Sequence, residues 1–214
     1  MYIAIILGAR RLKIFYIPDG HRRFAAKFGL SLEESYRTGI RVLEDEVIPP
    51  LLSDARVDEL LVFCLSRQNL VRRDEAELQS FIRVGTEMLS ELADRCARHW
   101  AVSTLGSVLH DNLTLGQTND KSLKFLIGSG IDDADQLPEV DLFFRSGGEL
   151  RLSGAPRCLI GNDTQFYTLE KLHPELVRGD IIALMDKYRA RYVRSTDTVN
   201  VNSERSDSNE HGNS

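Results

Sequence analysis

The chain has 214 residues, of which 42% are hydrophobic and 28% are charged, proportions that exclude a fibrous or a wholly disordered protein. Lys and Arg number 27 and Asp and Glu number 32, so the formal net charge of −5 excludes the basic surface by which many proteins bind nucleic acid. This length suits one domain with a single hydrophobic core, which we place at residues 1–194. Residues 195–214 carry few large apolar side chains to offset the entropy of ordering, and they are predicted to form a disordered polar tail.

The apolar start of the chain, residues 1–7, has no basic residue before it and is shorter than the roughly 18 apolar residues of a membrane span. Cys64, Cys96 and Cys158 are odd in number and widely spaced, which indicates reduced thiols rather than a disulfide framework. Both observations favour a cytoplasmic protein with no stable membrane insertion.

The hydrophobic pattern predicts strands that alternate with helices. In chain order, we predict a strand at 14–17, a helix after Gly20, a helix at 33–47, a strand at 60–65, a helix at 74–96, strands at 101–105, 123–127 and 141–144, and a helix at 179–192. Ser31 is placed to cap the second helix, and Pro49-Pro50 is predicted to end it. The continuous apolar run at 60–65 is typical of a strand that helices cover on both faces. These elements predict a single α/β domain with a mostly parallel central sheet flanked by helices.

Three polar segments come directly after predicted strands, where an α/β sheet binds its ligands. They read PDGHRRF at 18–24, SRQNLVRR at 66–73 and RSGGELRLS at 145–153. Each combines arginines with small or amide residues, and guanidinium groups together with exposed backbone N–H groups hold phosphate oxygens. In the first segment, a diphosphate could bind at the N-terminus of the following helix while Asp19 orients Mg²⁺ against it. Each segment alone is also consistent with an ordinary loop, in which Asp19 caps a helix and the arginines are solvated.

In this order the segments read Pro-Asp-Gly-x-x-Arg-Phe-Ala, Ser-x-x-Asn-x-x-Arg and Arg-Ser-Gly-Gly-Glu-x-Arg-x-Ser, and they resemble the motifs of the cis-prenyltransferases, typified by undecaprenyl diphosphate synthase. The third motif is nearly intact, and the resemblance extends from about Ile14 to Arg194. His173-Pro174 and the Arg-rich end of the last helix are also similar to the family. The resemblance implies the cis-prenyltransferase fold, a homodimer, Mg²⁺ as the cofactor and two isoprenoid diphosphates as substrates.

The resemblance also implies roles for individual residues. Asp19 would engage Mg²⁺ and the allylic diphosphate, which would be held by Gly20, Arg22, Arg23 and the start of the helix. Ser66 and Asn69 would position the leaving group or relay the proton near the reacting carbons. Arg72 would be a further phosphate contact, and Tyr36 takes the place of a family histidine. The second diphosphate would be held by Arg145, Arg151 and Ser153, with Glu149 beside them.

Loss of diphosphate from an allylic carbon builds positive charge on carbon and negative charge on oxygen. The oxygens therefore need cations, and the carbon needs an apolar, water-poor tunnel. The two long helices could line this tunnel with Tyr36, Ile40, Leu43, Phe81 and Leu89. Packing in the hydrophobic core is the alternative role for most of these side chains.

The sequence departs from the family pattern after the first strand. His21-Arg22-Arg23-Phe24 replaces the usual Asn-Gly-Arg-Trp. The resulting Pro-Asp-Gly-x-Arg-Arg is similar to the irregular branch of cyclolavandulyl and isosesquilavandulyl diphosphate synthases, which join allylic units head-to-middle. His21 is therefore a candidate catalytic base, and the alternative is a loop histidine that only forms hydrogen bonds.

Two further departures concern the metal and the tunnel. Thr164 takes the position of a family glutamate that reaches Mg²⁺ across the dimer, and Asp163 lies one position away. The segment between Ile127 and Asp141 is short, which favours a shorter tunnel wall and a short product. The acidic residues at 132–135 are predicted to form a solvated loop and not the Asp-rich metal site of the all-helical prenyltransferases.

We therefore expect an enzyme that condenses dimethylallyl diphosphate with geranyl or dimethylallyl diphosphate, head-to-middle, to a branched lavandulyl-type diphosphate. Its partners would be small isoprenoid diphosphates and a second copy of the chain, and not nucleic acid. Conventional short-chain cis elongation with isopentenyl diphosphate is one alternative. A non-catalytic prenyltransferase-like subunit that stabilises an active partner is another, and the presence of Asp19 favours activity over it.

Overall fold

The computed structural model describes residues 11–66, 73–99, 101–105, 114–115, 121–128 and 137–191. Within these residues, the strands are β1 (Leu12–Ile17), β2 (Val57–Ser66), β3 (Ala101–Leu105), β4 (Thr114–Leu115), β5 (Ser122–Gly128), β6 (Val140–Ser146) and β7 (Ile160–Leu169). They form one sheet in the order β4-β3-β5-β2-β1-β6-β7, which is parallel except for the antiparallel pair of β3 and β4. The mostly parallel α/β sheet predicted from the sequence is confirmed.

Alternate residues of the central strands pack into two separate layers. Tyr16 stacks on Phe144 in one layer, with ring centroids 4.2 Å apart. Phe15 packs against Phe143 in the opposite layer, with centroids 5.6 Å apart. Successive side chains of a strand point to opposite faces, so a run that is apolar throughout fills both layers. This explains why the run at 60–63 in β2 is buried without interruption.

The helices of the described residues are α1 (His21–Phe28), α2 (Leu32–Val42), α3 (Ile48–Leu52), α4 (Glu75–Val84), α5 (Ser90–Cys96) and α6 (178–191). π-Helical turns at Leu43–Val47 and Gly85–Leu89 join α2 to α3 and α4 to α5. Ser31 caps α2 as predicted, because its hydroxyl accepts a hydrogen bond from the Glu34 N–H while the Glu34 carboxylate accepts one from the Ser31 N–H. The long helices predicted at 33–47 and 74–96 are confirmed.

The prediction that Pro49-Pro50 ends the second helix is wrong, because the helix continues to Leu52. The Ile48 N–H bonds to the carbonyl of Leu43, five residues back, which puts the chain in the wider π form just before the prolines. Both prolines then lie in the first turn of α3, directly after the chain changes from the π to the α form.

β7 is a strand that the hydrophobic pattern did not predict. It lies at the edge of the sheet, next to β6. Its exposed positions, which include Asn162 and Asp163, interrupt the apolar run by which the central strands were found.

β1 lies between β2 and β6 and marks the point where the order of the strands reverses. At such a point the loops that follow neighbouring strands diverge and leave a crevice beyond the carboxyl ends. The segments after β1 and β6, which the sequence analysis selected, therefore lie at one crevice, and Ser66 at the end of β2 lies at the same edge of the sheet. Asn69, Arg72, the residues at 132–135 and the predicted tail lie outside the described residues. In the part of the chain that is described, no helix is long and apolar enough to cross a bilayer.

Candidate active site

A cavity of about 570 Å³ opens beyond the carboxyl ends of β1 and β6, and its volume is in the range of small-ligand sites. Ten of the residues selected from the sequence line it: Asp19, Gly20, His21, Arg22, Arg23, Tyr36, Arg145, Glu149, Arg151 and Ser153. Ser66 ends β2 at the same edge of the sheet, and its side chain is outside the described structure.

Asp19 lies directly after β1, with its carboxylate at the cavity wall. One carboxylate oxygen accepts a hydrogen bond from the Gly20 N–H at 2.6 Å, and the other accepts one from the Arg145 guanidinium at 2.5 Å. Burial alone would raise the pKa of Asp19, but the hydrogen bond and the charge of Arg145 outweigh it and hold this pKa below its usual value. Asp19 is therefore ionised at neutral pH.

Arg145, near the end of β6, is almost fully buried, with 2% of its surface exposed. Its guanidinium also donates to the Arg151 carbonyl at 2.7 Å and to the Ser153 hydroxyl at 2.6 Å. Its Nε is buried without a hydrogen-bond partner among the described residues. Arg145 and Ser153, which the resemblance assigns to the second diphosphate, thus also fix the loop after β6 to Asp19.

Arg23 connects α1 to the Gly-Gly turn after β6. Its Nη1 donates to the Gly147 carbonyl at 2.9 Å, and its Nη2 lies 3.5 Å from the Asp19 carboxylate. Gly147 has a φ of +86°, and a Cβ atom there would lie 2.4 Å from Nη2 of Arg23. A glycine is therefore needed both for this turn and for the close approach of the guanidinium.

Three more candidates lie at the open rim of the cavity. Arg22 and Arg151 are exposed, and the Arg151 guanidinium pairs with the Glu149 carboxylate at 2.8 Å. Exposed ion pairs of this kind contribute little to stability, so Arg151 can turn toward a bound anion at small cost.

The start of α1 is open to an anion. Gly20, with a φ of +110°, turns the chain from the end of β1 into α1, and a Cβ atom there would lie 2.8 Å from the Leu172 side chain. The first N–H groups of a helix have no partner within it and bind phosphate groups readily. The first turn of α1 contains no acidic residue that would oppose an anion there.

A buried hydrogen-bond network, which the sequence analysis missed, holds the backbone of Asp19. The Asp19 N–H donates to the Ser146 hydroxyl, and the His173 N–H donates to the Asp19 carbonyl, both at 2.8 Å. The His173 ring donates from Nε2 to the Gly39 carbonyl at 2.9 Å, because a carbonyl can only accept. Its Nδ1 then accepts from the Tyr16 hydroxyl at 2.6 Å. His173 was noted in its His-Pro pair, whereas no sequence signal linked it to Tyr16.

His21 is the first residue of α1 and lines the cavity. Its ring stacks on the His173 ring, with centroids 5.2 Å apart. The centroid of the Tyr36 ring lies at the same distance of 5.2 Å. Burial, and then the charge of Arg73, lower the pKa of His21 to about 4. The imidazole is therefore uncharged at neutral pH and can accept a proton.

Tyr36 lies on the α2 wall of the cavity. Its hydroxyl accepts a hydrogen bond from Arg73 at 2.7 Å and donates to the Glu77 carboxylate at 3.3 Å. Burial raises the pKa of Tyr36 to about 12, so the hydroxyl keeps its proton. Arg73 lines the cavity, although the sequence analysis assigned the phosphate contact to the neighbouring Arg72.

The remaining wall is largely apolar. Ile40, Leu43 and Phe81 line the cavity, as the tunnel hypothesis predicted, while the side chain of Leu89 lies outside the described structure. The ring of Phe81 meets the Tyr36 ring edge-on, with centroids 5.3 Å apart. The cavity therefore combines arginines with a hydrocarbon surface.

The carboxylate of Asp19 fits an Mg²⁺ ion that is also held by a bound diphosphate. Across the residues that the structure describes, no three His, Cys, Asp or Glu side chains form a metal site by themselves. Mg²⁺ in phosphate-binding sites is commonly held by one or two carboxylates together with substrate phosphates and waters. The ionised carboxylate of Asp19 lies at the cavity with 30% of the side chain exposed, so it could hold one Mg²⁺ against a bound diphosphate.

Thr164 does not supply a second ligand within this chain. Its buried hydroxyl donates to the Val140 carbonyl at 2.6 Å and accepts from the Gly161 N–H at 3.0 Å. Both hydrogen bonds are internal to the sheet edge, so the hydroxyl is occupied. The neighbouring Asp163 is exposed.

The lowered pKa values of the stacked His21 and His173 rings predict how the free energy of unfolding depends on pH. Burial also lowers the pKa of His173, to about 3, whereas an unfolded histidine has a pKa near 6.5. Between about pH 6.5 and 4 the unfolded chain therefore takes up protons that the folded chain does not, and the free energy of unfolding falls on acidification by about 1.4 kcal/mol per pH unit for each histidine. His21→Gln should lower this slope by one proton in urea unfolding between pH 6.5 and 4.5. Equal slopes for the two proteins would contradict the neutral, desolvated state of His21.

Comparison with known proteins points to one family. Residues 17–115 match the model of the family described as "Putative undecaprenyl diphosphate synthase". An isoprenyl transferase of Rhodopirellula baltica is 26% identical over 83% of this chain and 90% of its own length. A chloroplastic cis-prenyltransferase of Solanum lycopersicum is 25% identical over 83% of this chain and 78% of its own. A tritrans,polycis-undecaprenyl-diphosphate synthase of Aeropyrum pernix is 26% identical over 77% of this chain and 89% of its own.

A solved structure shares the fold. Lavandulyl diphosphate synthase from Lavandula x intermedia, in complex with dimethylallyl diphosphate, matches 85% of this chain and 96% of its own length with a TM-score of 0.65. At 19% identity this likeness concerns the fold alone. The family match over residues 17–115 and the relatives that span most of the chain support a prenyltransferase enzyme that is similar to the cis-prenyltransferases.

Proposed function

We propose that this chain condenses dimethylallyl diphosphate with geranyl or dimethylallyl diphosphate, head-to-middle, to a branched lavandulyl-type diphosphate, with release of diphosphate. The observation that carries this proposal is His21, an uncharged imidazole inside the cavity at the start of α1. It stands where the family usually has an asparagine. The similarity of the Pro-Asp-Gly-x-Arg-Arg segment to the irregular branch supports the same reaction.

The donor diphosphate would bind where cations and helix N–H groups converge, at Arg22, Arg23 and the start of α1. Asp19 would hold Mg²⁺ beside it, and the bound metal would neutralise charge on the departing oxygens. Arg145 and the Gly147 carbonyl hold Asp19 and Arg23 in position before substrate arrives. Donors that are already oriented stabilise the leaving group without reorganising during the reaction.

The reacting carbons would meet along the apolar wall. The bond between C1 of the donor and its diphosphate oxygen breaks while the double bond of the acceptor attacks C1 through its middle carbon. The new carbon–carbon bond leaves a tertiary cation on the acceptor, and loss of a proton from an adjacent methyl group forms the final double bond. Ile40, Leu43 and Phe81 would keep water from capturing the cation. His21 would accept the proton, and the released diphosphate is the other candidate acceptor.

The products formed from labelled substrates test this reaction. Purified protein is supplied with ¹³C-labelled dimethylallyl diphosphate and Mg²⁺, with and without isopentenyl diphosphate, and the products are identified by mass spectrometry and NMR. We expect a branched diphosphate that forms without isopentenyl diphosphate. A linear cis product that requires isopentenyl diphosphate would contradict the proposal and favour conventional elongation, the second candidate function. His21→Asn, which introduces the usual family residue, is the informative variant, and it should lower formation of the branched product.

We also propose that the protein is a cytoplasmic homodimer. Cys64 and Cys96 form no disulfide among the described residues, which suits a reducing compartment. The tomato relative is by name chloroplastic, so the compartment needs its own test. Sedimentation velocity measures the mass of the protein in solution, and a fully active monomer would contradict the proposed homodimer. Fractionation of source cells measures the location, and recovery of the protein in an organelle would contradict the proposed cytoplasmic location.

A further inference from the structure

His21, the proton acceptor of the proposed reaction, is oriented by packing. Its imidazole forms no hydrogen bond with another described residue, so within the described structure its orientation depends on the rings around it. The His173 ring is nearly parallel to it, with an interplanar angle of 17°, and the Tyr36 ring is inclined to it by 42°. A stacked ring restricts the tilt of its neighbour, so the orientation of His21 depends on how firmly His173 is held.

Gly39 of α2 provides the space in which the two histidine rings meet. A Cβ atom at this position would lie 2.6 Å from Nε2 of His21 and 3.1 Å from Cδ2 of His173. Glycine is unfavourable inside a helix, and here its missing side chain allows both rings to approach the α2 backbone. The helix therefore closes one side of the histidine pair.

His173 is fixed at both of its ring nitrogens. Nε2 donates to the Gly39 carbonyl at 2.9 Å, and Nδ1 accepts from the Tyr16 hydroxyl at 2.6 Å. These two hydrogen bonds leave the imidazole one tautomer and one orientation. They also leave it no free lone pair, so His173 is not placed to accept a proton itself, although it lies at the cavity wall.

Tyr16 reaches the cavity only through His173. Its side chain is fully buried in β1, and it is not part of the cavity wall among the described residues. Its ring stacks on Phe144, which holds the hydroxyl toward Nδ1 of His173. A substitution at Tyr16 therefore reports on the anchoring of His173 without touching the substrate.

We propose that His173 is a positioning residue, which Tyr16 and Gly39 hold in place so that its ring orients the His21 imidazole toward the product cation. The inference rests on the role of His21 in the proposed function. In that step a methyl C–H bond beside the cation breaks, its electron pair forms the double bond, and the proton passes to a ring nitrogen of His21. A displacement of about 1 Å in such a group can cost about 100-fold in rate.

The test compares Tyr16→Phe, His173→Phe and Gly39→Ala, with kcat measured as released diphosphate and folding checked by thermal melting. Tyr16→Phe removes one hydrogen bond and should lower kcat by about 3- to 10-fold. His173→Phe keeps a flat ring but loses both hydrogen bonds, and Gly39→Ala displaces the His21 ring with its new methyl group. Each of these two should lower kcat by about 10- to 100-fold, while KM stays within about twofold in all three variants.

Repeating the substitutions in His21→Asn separates positioning from a general structural role. In that background Tyr16→Phe and His173→Phe should lower kcat by less than about twofold, because the ring that they orient is absent. Equal losses in both backgrounds would overturn the proposal, since they would arise by another route, such as the His173 N–H on the Asp19 carbonyl. A wild-type kcat in His21→Asn or in His173→Phe would overturn it as well.

Tyr167→Phe is the matched control, because it removes a tyrosine hydroxyl that donates to Gln165 on β7 at 3.0 Å, and its kcat should stay within about twofold of the wild type. NMR gives a readout without turnover. The ring ¹H and ¹⁵N shifts of His21 should change in Tyr16→Phe and not in Tyr167→Phe, and unchanged shifts in folded Tyr16→Phe would contradict the proposal.

Head-to-middle condensation and conventional elongation both release diphosphate, so the comparison of the two backgrounds can be made whichever product forms. Failure of the proposed condensation shows separately, as a missing branched product in the labelled-substrate assay.

Discussion

Asp19→Asn is expected to lower kcat/KM for prenyl transfer by at least about 100-fold, because it keeps the shape of the side chain and removes the charge that would hold Mg²⁺ beside the diphosphate. It also removes the anionic partner of Arg145, whose side chain is 3% exposed. Breaking a fully buried ion pair costs about 3–5 kcal/mol. Since 30% of the Asp19 side chain is exposed, we expect a smaller loss of about 1–3 kcal/mol in the free energy of unfolding. Steady-state kinetics and urea unfolding measure the two effects.

A double variant separates the effect on activity from the effect on stability. Adding Arg145→Met to Asp19→Asn removes the unpaired charge, so part of the lost free energy of unfolding should return while activity stays low. Asp186→Asn is a control at an exposed pair, in which Arg189 lies 2.8 Å from an Asp186 side chain that is 60% exposed, and it should change the free energy of unfolding by less than about 0.5 kcal/mol. Wild-type activity in Asp19→Asn would rule out the assigned role of the carboxylate.

Gly147→Ala is expected to lower kcat/KM by about 10- to 100-fold by displacing Arg23, since a hydrogen bond from a charged group contributes about 1.5–3 kcal/mol. The new methyl group would lie 2.4 Å from Nη2 of Arg23, and the flexible guanidinium is the group that can move. Arg23 would then lose the Gly147 carbonyl and its place beside Asp19. The backbone at a φ of +86° adds about 1–2 kcal/mol of strain.

Gly148→Ala provides the control for this strain. Gly148 has a similar φ of +75°, but a Cβ atom there would meet the Glu170 carboxylate at 3.1 Å and not Arg23. Both variants should therefore lose similar stability in urea unfolding, while only Gly147→Ala loses most of its activity. Equal activities in the two variants would show that the position of Arg23 is not needed for the reaction.

The arginine-rich segments could be found from the sequence because each lies directly after a strand that local pattern reveals. The apolar run in β2 and the capping box at Ser31 are both properties of a few neighbouring residues. The topology then accounts for the meeting of the segments after β1 and β6, since parallel strands end at the same edge of a sheet. This is why ten of the selected site residues share one cavity.

Other features depend on residues that are far apart in the chain. The Tyr16 hydroxyl meets the His173 ring across 157 positions, and Arg73 meets the Tyr36 hydroxyl across 37. Neither pair leaves a local pattern, so the sequence predicts only a strand at Tyr16 and does not single out Arg73 from the polar segment after β2. The π-helical turn before Pro49 was missed for a related reason, because the shift to a bond five residues back is decided by the packing of the whole helix.

By itself, the sequence determined the α/β class, the order of most elements and the segments that carry the site, because hydrophobic period, caps and turn residues act over a few positions. The tertiary structure decided which guanidinium groups are buried and which are available. Arg145, near the end of β6, pairs with Asp19 across 126 positions and is almost fully buried, while Arg22, in the first turn of α1, stays exposed. Burial and pairing set both the charge state of a group and its freedom to bind a ligand, and they arise only when distant segments pack together.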